Sequence, residues 1–255
     1  MNFIIAADTD IGLGKNTNQD SLSVKVMNTR QGKMVFAILC DGMGGLERGE
    51  IASASVIRAF DNWVRQTLPG LCVSQLNDEM IRFQWENVLK EQNILLHQYG
   101  RKHNVTLGTT AVILMVTQSR YYLMNVGDSR AYAIGDSLIQ LTRDQTLVAR
   151  EIELGNMTYE QALQDPRRNV LLQCIGASDM VFPEMFFGTP YAGQEFMLCS
   201  DGFRHEISGD EIYAELAPDI NLNADEMQRH LRKLIELNKQ RKERDNISAL
   251  LIRTF

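Results

Sequence analysis

The apolar residues of this chain come in blocks: three short runs, then two long amphipathic stretches, then a further set of short runs. A strand is roughly four to eight residues long, whereas a helix repeats its apolar positions every three or four residues. Residues 2–7 (NFIIAA), 21–27 (SLSVKVM) and 33–40 (KMVFAILC) read as strands bounded by turn residues such as Asn28 and Gly32. From Glu50 to Leu68 the residues Ile51, Ala54, Ile57, Phe60, Trp63 and Val64 recur at the helical period until Pro69-Gly70 ends the run. Leu76, Met80, Phe83, Val88, Leu95 and Leu96 carry a second helix toward Gly100. Residues 109–117, 120–126, 130–134 and 138–141 then predict an antiparallel meander, with turns at Gln118-Ser119, Gly127-Asp128 and Gly135-Asp136. The stretch 142–193 is polar and irregular with two short helical patterns. A strand at 194–199, helices at 208–217 and 223–240 and a last strand at 247–253 follow. Elements grouped in this way argue against a doubly wound parallel fold and predict the α+β class with antiparallel sheets. No repeat, low-complexity tract or Pro/Ser-rich linker divides residues 1–255, which predicts one domain.

Charge narrows the partners. Lys and Arg number 26 against 32 Asp and Glu, a net charge of −6, and the basic residues form no run. Nucleic acid and anionic membrane surfaces both require a positive field, so neither is expected as a partner. The four cysteines are scattered without CxxC spacing, which fits neither a disulfide scaffold nor a zinc site and suits a reducing compartment. The start MNFIIAADTDIG lacks the basic region and apolar core of a signal peptide, and no segment is long and apolar enough for a membrane span. A cytoplasmic location is therefore expected.

Five aspartates share one local context, the end of an apolar strand or the turn beside it. They are Asp20 after Asn18-Gln19, Asp41 after AILC, Asp128 after MNVG, Asp201 after MLCS, and Asp245 before Asn246 and the last strand. Asp-Gly is a common turn dipeptide, so any one of these alone reads as a turn. Taken together, they would meet if the strand ends converge. A carboxylate at a rigid strand terminus is a well-aimed ligand, and carboxylates with a backbone carbonyl and water are the ligand set of Mg²⁺ or Mn²⁺.

Asn18-Gln19-Asp20, Asp41-Gly42-Met43-Gly44-Gly45, Gly108-Thr109-Thr110, Val126-Gly127-Asp128-Ser129-Arg130, Ser200-Asp201-Gly202 and Asp245-Asn246 resemble, in this order, the motifs of the metal-dependent PPM/PP2C protein phosphatases, closest to the compact bacterial type. The resemblance implies a four-layer αββα sandwich, two stacked antiparallel sheets flanked by helices, with a metal cleft at one end. It implies a Mg²⁺/Mn²⁺-dependent hydrolase of phosphoserine and phosphothreonine in proteins, acting by direct attack of a metal-bridging hydroxide, with no covalent enzyme intermediate. Two metals per chain are implied, with a weaker third. Matched motif by motif, Asp41 bridges the two metals, the Gly42 carbonyl binds the first, Asp201 and Asp245 complete the pair, and Asp128 with Asp201 holds the third. Asp20 acts through metal-bound water. The substrates implied are phosphoproteins of a bacterial serine/threonine kinase, met by a monomer. The competing readings are a pseudophosphatase that keeps the fold as a binding module and a hydrolase of small phosphate esters.

Three positions depart from that pattern. Lys15 stands where the family has the Arg that grips the substrate phosphate, and an ammonium lacks the bidentate fork. Gln19 stands where Glu is frequent. Met43 follows Asp41-Gly42 where some relatives have His, and it cannot donate a proton to a leaving group. His97, His103, His205 and His230 have no metal-ligand spacing; His205, four residues after Asp201, is the nearest of them to a motif. Cys40 and Cys199 read as small buried hydrophobes beside the aspartates, and Met34, Met115, Met124 and Met197 as core. The polar stretch from about 144 to 169 predicts a flap over the cleft, with Arg150, Arg167 and Arg168 as charged surface.

Overall fold

The computed structural model describes residues 1–43 and 48–255. Among the described residues, ten strands form two antiparallel sheets. The first takes β1 (Phe3–Asp10), β10 (Ile247–Thr254), β9 (Glu195–Cys199), β6 (Arg130–Ile134) and β7 (Leu138–Gln140) in that spatial order. The second takes β2 (Ser21–Thr29), β3 (Gly32–Cys40), β4 (Ala111–Val116), β5 (Tyr121–Val126) and β8 (Glu184–Gly188). The helices are α1 (Gly49–Gln66), α2 (Leu68–Leu71), α3 (Asp78–His103), α4 (Leu147–Glu153), α5 (Tyr159–Gln164), α6 (Gly209–Leu216) and α7 (Ala224–Gln240).

Strand periodicity builds the layers. Successive side chains of β3 point to opposite faces, so Met34, Phe36, Ile38 and Cys40 meet Val56, Phe60 and Trp63 of α1 and Ile81, Trp85 and Leu89 of α3. Val35, Ala37 and Leu39 on the other face meet Phe196, Leu198, Leu250 and Ile252 of the first sheet. On that sheet's outer side Met197, Cys199, Ala249 and Leu251 pack on Ile212 of α6 and on Leu231, Leu234 and Ile235 of α7. Three apolar layers thus hold four layers of structure, the αββα sandwich expected. Phe36 and Trp85 lie edge to face with ring centroids 5.9 Å apart, and Phe60 and Trp63 complete the aromatic core.

Helix starts follow local chemistry. The Asn77 side chain accepts the Met80 N–H at 2.8 Å to open α3, and Ser208 with Glu211 forms a reciprocal capping box for α6. As expected, α1 ends just before Pro69-Gly70, at Gln66; the pair itself sits inside the short α2, where proline is tolerated in the first turn. Two expectations need correction. β8 lies inside the stretch read as irregular; its sequence EMFFG does not alternate, and it exists because its backbone pairs with β5 from Asn125↔Glu184 to Tyr121↔Gly188. β1 also runs past the predicted residue 7 to Asp10, because β10 pairs with it as far as Asp10↔Ile247. Among the described residues no helix is long and apolar enough to cross a membrane.

Candidate active site

Register brings the strand-end aspartates together. Ser21 pairs with Cys40, which sets Asp20 beside Asp41. Cys199 pairs with Arg130 on one side and Ala249 on the other, so Asp128, Asp201 and Asp245 leave three adjacent strands at the same end. Four of the five, Asp41, Asp128, Asp201 and Asp245, line one cleft of about 450 Å³ with Lys15, Met43, Thr110, Asn169, Leu171 and Cys174. Asp20 lies behind them with its carboxylate oxygens buried.

Asp41 is held through its backbone, which leaves its carboxylate for other work. The Asp41 N–H donates to Thr110 Oγ1 at 3.0 Å, while the Asp41 carbonyl accepts from the Thr109 hydroxyl and the Thr110 N–H, each at 2.9 Å. Thr110 Oγ1 in turn lies 2.7 Å from Ser129 Oγ. The Gly108-Thr109-Thr110 motif is therefore the brace of Asp41. Gly42 has no space for a side chain: a Cβ there would lie 2.5 Å from the carbonyl oxygens of Gln19 and Gly49. Gly202 is as tightly placed, with the Asn246 carbonyl 2.2 Å from where its Cβ would stand. Asn246 fastens the first loop to the last strand, accepting the Gln19 N–H at 2.9 Å and donating to the Ile11 carbonyl at 2.9 Å. Gly44 and Gly45 of the second motif lie outside the described residues.

Electrostatically the cluster is unfavourable as bare carboxylates. Burial raises the pKa of Asp41 well above the ordinary value, and Asp20, Asp201, Asp128 and Asp245 raise it further. Asp20 is pushed up to about 7, first by burial; nearby Ser248 and Ser200 oppose the shift, and Asp201 and Asp245 add to it. Both Asp20 oxygens are nevertheless buried without a hydrogen-bond partner. Asp128 is likewise pushed to about 7 by burial and by Asp201, with Arg204 pulling the other way. Buried, mutually repelling and partnerless carboxylate oxygens are the donor chemistry of a hard divalent cation. Among the described residues no three acidic, histidine or cysteine side chains already stand arranged around one ion. Asp245 is turned instead to Lys15, whose Nζ lies 2.8 Å from Asp245 Oδ1.

Arg204, Asp144 and Glu243, all neighbours of the site, went unread in the sequence, whereas His205 stands out there by its nearness to Asp201. Arg204 donates to the Asp128 carbonyl at 3.0 Å and lies 3.6 Å from Asp144, which also receives two hydrogen bonds from Arg130 at 2.7 and 2.6 Å. Burial would raise Asp144, but the Arg130 hydrogen bond and the charges of Arg204 and Arg130 hold it below the usual carboxylate range. A chain of alternating charges thus runs from Asp128 to the base of the 144–169 stretch. His205 lies between Asp201, at 3.5 Å, and Glu243, at 3.4 Å, and Glu243 also accepts the N–H groups of Arg244 and Asp245. His205 is therefore a tie between two strand-end acids, not a free surface residue. The only signal of these residues in the sequence was adjacency: Arg204-His205 follows Asp201-Gly202-Phe203, and Glu243 precedes Asp245 by two.

Other expectations fall out differently. Gln19 turns away from the cleft toward Glu50, its Nε2 lying 3.4 Å from the Glu50 carboxylate. Cys40 and Cys199 are fully buried with thiols pushed up by burial, whereas Cys174 is the cysteine on the cleft wall. In the predicted flap, α4 and α5 match the two short helical patterns. Arg167 is taken up by Asp165 at 2.8 Å, and Arg168 lines a second cavity of about 430 Å³ that shares Asp128 with the cleft.

The family model described as protein phosphatase 2C matches residues 14–251. Protein phosphatase PhpP of Streptococcus pneumoniae is 33% identical over 219 residues, 84% of each chain. Among solved structures, serine/threonine phosphatase Stp1 of Staphylococcus aureus superposes with a TM-score of 0.85 at 25% identity, covering 100% of this chain and 96% of that one. The catalytic domain of the serine/threonine protein phosphatase PstP, solved in complex with two manganese ions, gives a TM-score of 0.78 at 24% identity, covering 99% of each.

Proposed function

Because the chain belongs to the protein phosphatase 2C family, we propose that Asp41, the Gly42 carbonyl, Asp201 and Asp245 hold two divalent cations, Mn²⁺ or Mg²⁺, in the cleft. The chain is a serine/threonine protein phosphatase, and its substrates are phosphoproteins. Asp128 with Asp201 is the proposed site of a third, weaker cation, and Asp20 the residue that orients water from behind the cluster. The observation that carries this reading is the convergence of five carboxylates at one end of the sandwich, with those of Asp20 buried and partnerless. When bound, such cations supply Lewis acidity, lowering the pKa of a water toward neutrality and screening the phosphate from the acids.

The chain's own residues set the rest. Thr109 and Thr110 fix the Asp41 backbone from behind, which sets where its side chain enters the cleft. Lys15 is the cation on the cleft wall able to position the phosphate. Among the described residues no imidazole lines the cleft, and Met43 cannot donate a proton, so the departing serine or threonine oxygen takes its proton from water. Residues 1–255 act as one phosphatase domain, with 144–169 as a flap whose base is tied to Asp128 through Asp144 and Arg204. A bacterial serine/threonine kinase as the opposing enzyme, a cytoplasmic location and action as a monomer complete the proposal.

A phosphoserine peptide incubated with Mn²⁺ should release phosphate, and chelator should abolish the release. Equilibrium dialysis should count two tight Mn²⁺ per chain. A chain that binds none, or that turns over equally well in chelator, would end this reading. Lys15→Arg restores a planar fork suited to phosphate, and it should lower KM for the phosphopeptide about threefold with kcat little changed. An unchanged KM would mean that Lys15 serves Asp245 alone.

A further inference from the structure

A cavity of about 800 Å³ lies remote from the acids. One bank is β2 and the turn after it, Lys25 to Arg30; the other is the end of α1 with α2, where Val64, Leu68 and Val73 face it. Alternate residues of a strand point to opposite faces, so a groove over one face would touch every second residue. This groove touches six in succession, which places it along the edge of the strand. β2 is the outermost strand of its sheet, nine residues long, with neither proline nor bulge in its register with β3. Among the described residues, no backbone-to-backbone hydrogen bond outside that ladder involves residues 21–30. Half of the strand's N–H and C=O groups are therefore free to pair with another strand.

The chemistry of the banks selects what could pair. Lys25, Arg30 and Arg65 line the groove and no Asp or Glu does, on a chain whose net charge is −6. Lys25 is shared with Asp61, while Arg30 and Arg65 are exposed. Between them Val26 and Val73 are exposed apolar residues, Val73 at 66%. A basic rim over an apolar floor beside a free strand edge suits an extended segment with acidic and apolar residues in alternation. At about 3.3 Å per residue the groove begins roughly 15 Å along β2 from Asp20, so its occupant lies outside the catalytic cleft.

We propose that this groove docks an extended acidic-apolar segment of the phosphoprotein substrate, which adds to the free edge of β2 as a further strand. The assignment to substrate rests on the phosphatase reading above; strand addition does not. A labelled peptide of about ten residues, Glu alternating with Val, is the probe, and its binding is read by fluorescence anisotropy on chelated protein, where no turnover occurs. It should bind, a Lys-for-Glu version should not, and the double variant Arg30→Glu/Arg65→Glu should weaken binding about tenfold. N-methylation of alternate backbone nitrogens should abolish binding in one of the two registers. A phosphoserine peptide linked to the probe sequence should show KM about tenfold below the unlinked peptide at equal kcat. The double variant should erase that advantage without changing hydrolysis of para-nitrophenyl phosphate, which also verifies that it is folded. Equal binding of both charge versions, or full binding of both N-methylated peptides, overturns strand docking. Concentration-dependent dimerisation of the wild type that the double variant loses would assign the edge to a second copy instead. Probe binding without any phosphopeptide hydrolysis would remove the substrate assignment and the phosphatase reading, and leave the groove as a docking edge.

Discussion

Asp41→Asn should cost at least about 10³-fold in phosphopeptide turnover at saturating Mn²⁺ and yet make the metal-free protein more stable. Asparagine keeps the shape of the side chain and removes its charge. The loss of turnover follows because Asp41 is the proposed bridge of the pair, and a neutral amide is a poor ligand for a hard cation. The gain in stability follows because Asp20, Asp201, Asp128 and Asp245 all raise the energy of an ionised Asp41, on top of the burial that already does so. Relief of that repulsion should raise the melting temperature in chelator by several degrees, at roughly 2–4 °C per kcal/mol for a chain of this size. Adding Mn²⁺ should reverse the order, since only the wild type gains binding energy linked to folding. The measurement is thermal unfolding of both proteins with and without Mn²⁺, beside the turnover assay. An inactive variant that is also less stable in chelator would make Asp41 a structural residue.

Chelated wild-type protein should lose stability as pH rises from about 4 to about 7, the opposite of the usual acid denaturation. Asp20 and Asp128 each have an ordinary value of 3.8 and a folded-state value of about 7. In that window the folded state keeps protons that the unfolded chain has released. Fewer protons on the unfolded chain mean that unfolding free energy falls with rising pH. The stabilising protonation is complete below 3.8 and is lost as pH passes 7. At about 1.4 kcal/mol per unit, two such groups are worth several kcal/mol. Saturating Mn²⁺ should flatten or invert the slope, because the cation replaces the protons. Urea titrations at successive pH values, with and without Mn²⁺, measure both slopes. A chelated protein equally stable across the window would mean that the carboxylates are better hydrated than their burial implies.

How far the fold could be read in advance varied with how local its cause was. The helical period of Ile51 to Val64 and the continuous run KMVFAILC lie in the sequence itself, and α1 and β3 stand where they predict. β8 could not be read, because EMFFG becomes a strand only when β5 offers its edge. The extension of β1 to Asp10 likewise follows from β10 opposite it. At the site the same division holds. Asp20, Asp41, Asp128, Asp201 and Asp245 each stood out beside an apolar run, and the Gly-Thr-Thr motif proved to be the brace of Asp41. Arg204, Asp144 and Glu243 did not stand out, since their roles are contacts across 14 to 76 positions of sequence that only packing creates; His205 stood out only by its nearness to Asp201.

The sequence by itself therefore determined the class of fold, the family and the identity of the acids, because strand periodicity, turn residues and motif order are local properties of the chain. It also located the departures at Lys15, Gln19 and Met43. Only the tertiary structure decided that Lys15 leans on Asp245, that Gln19 faces Glu50, and that Arg204 ties Asp128 to Asp144. It decided too that β2 ends up at the margin of its sheet with an apolar, basic-rimmed groove beside it. The physical reason is that charge pairing, burial and a strand's position at a sheet edge depend on which segments become neighbours, and neighbours are set by register and layer packing.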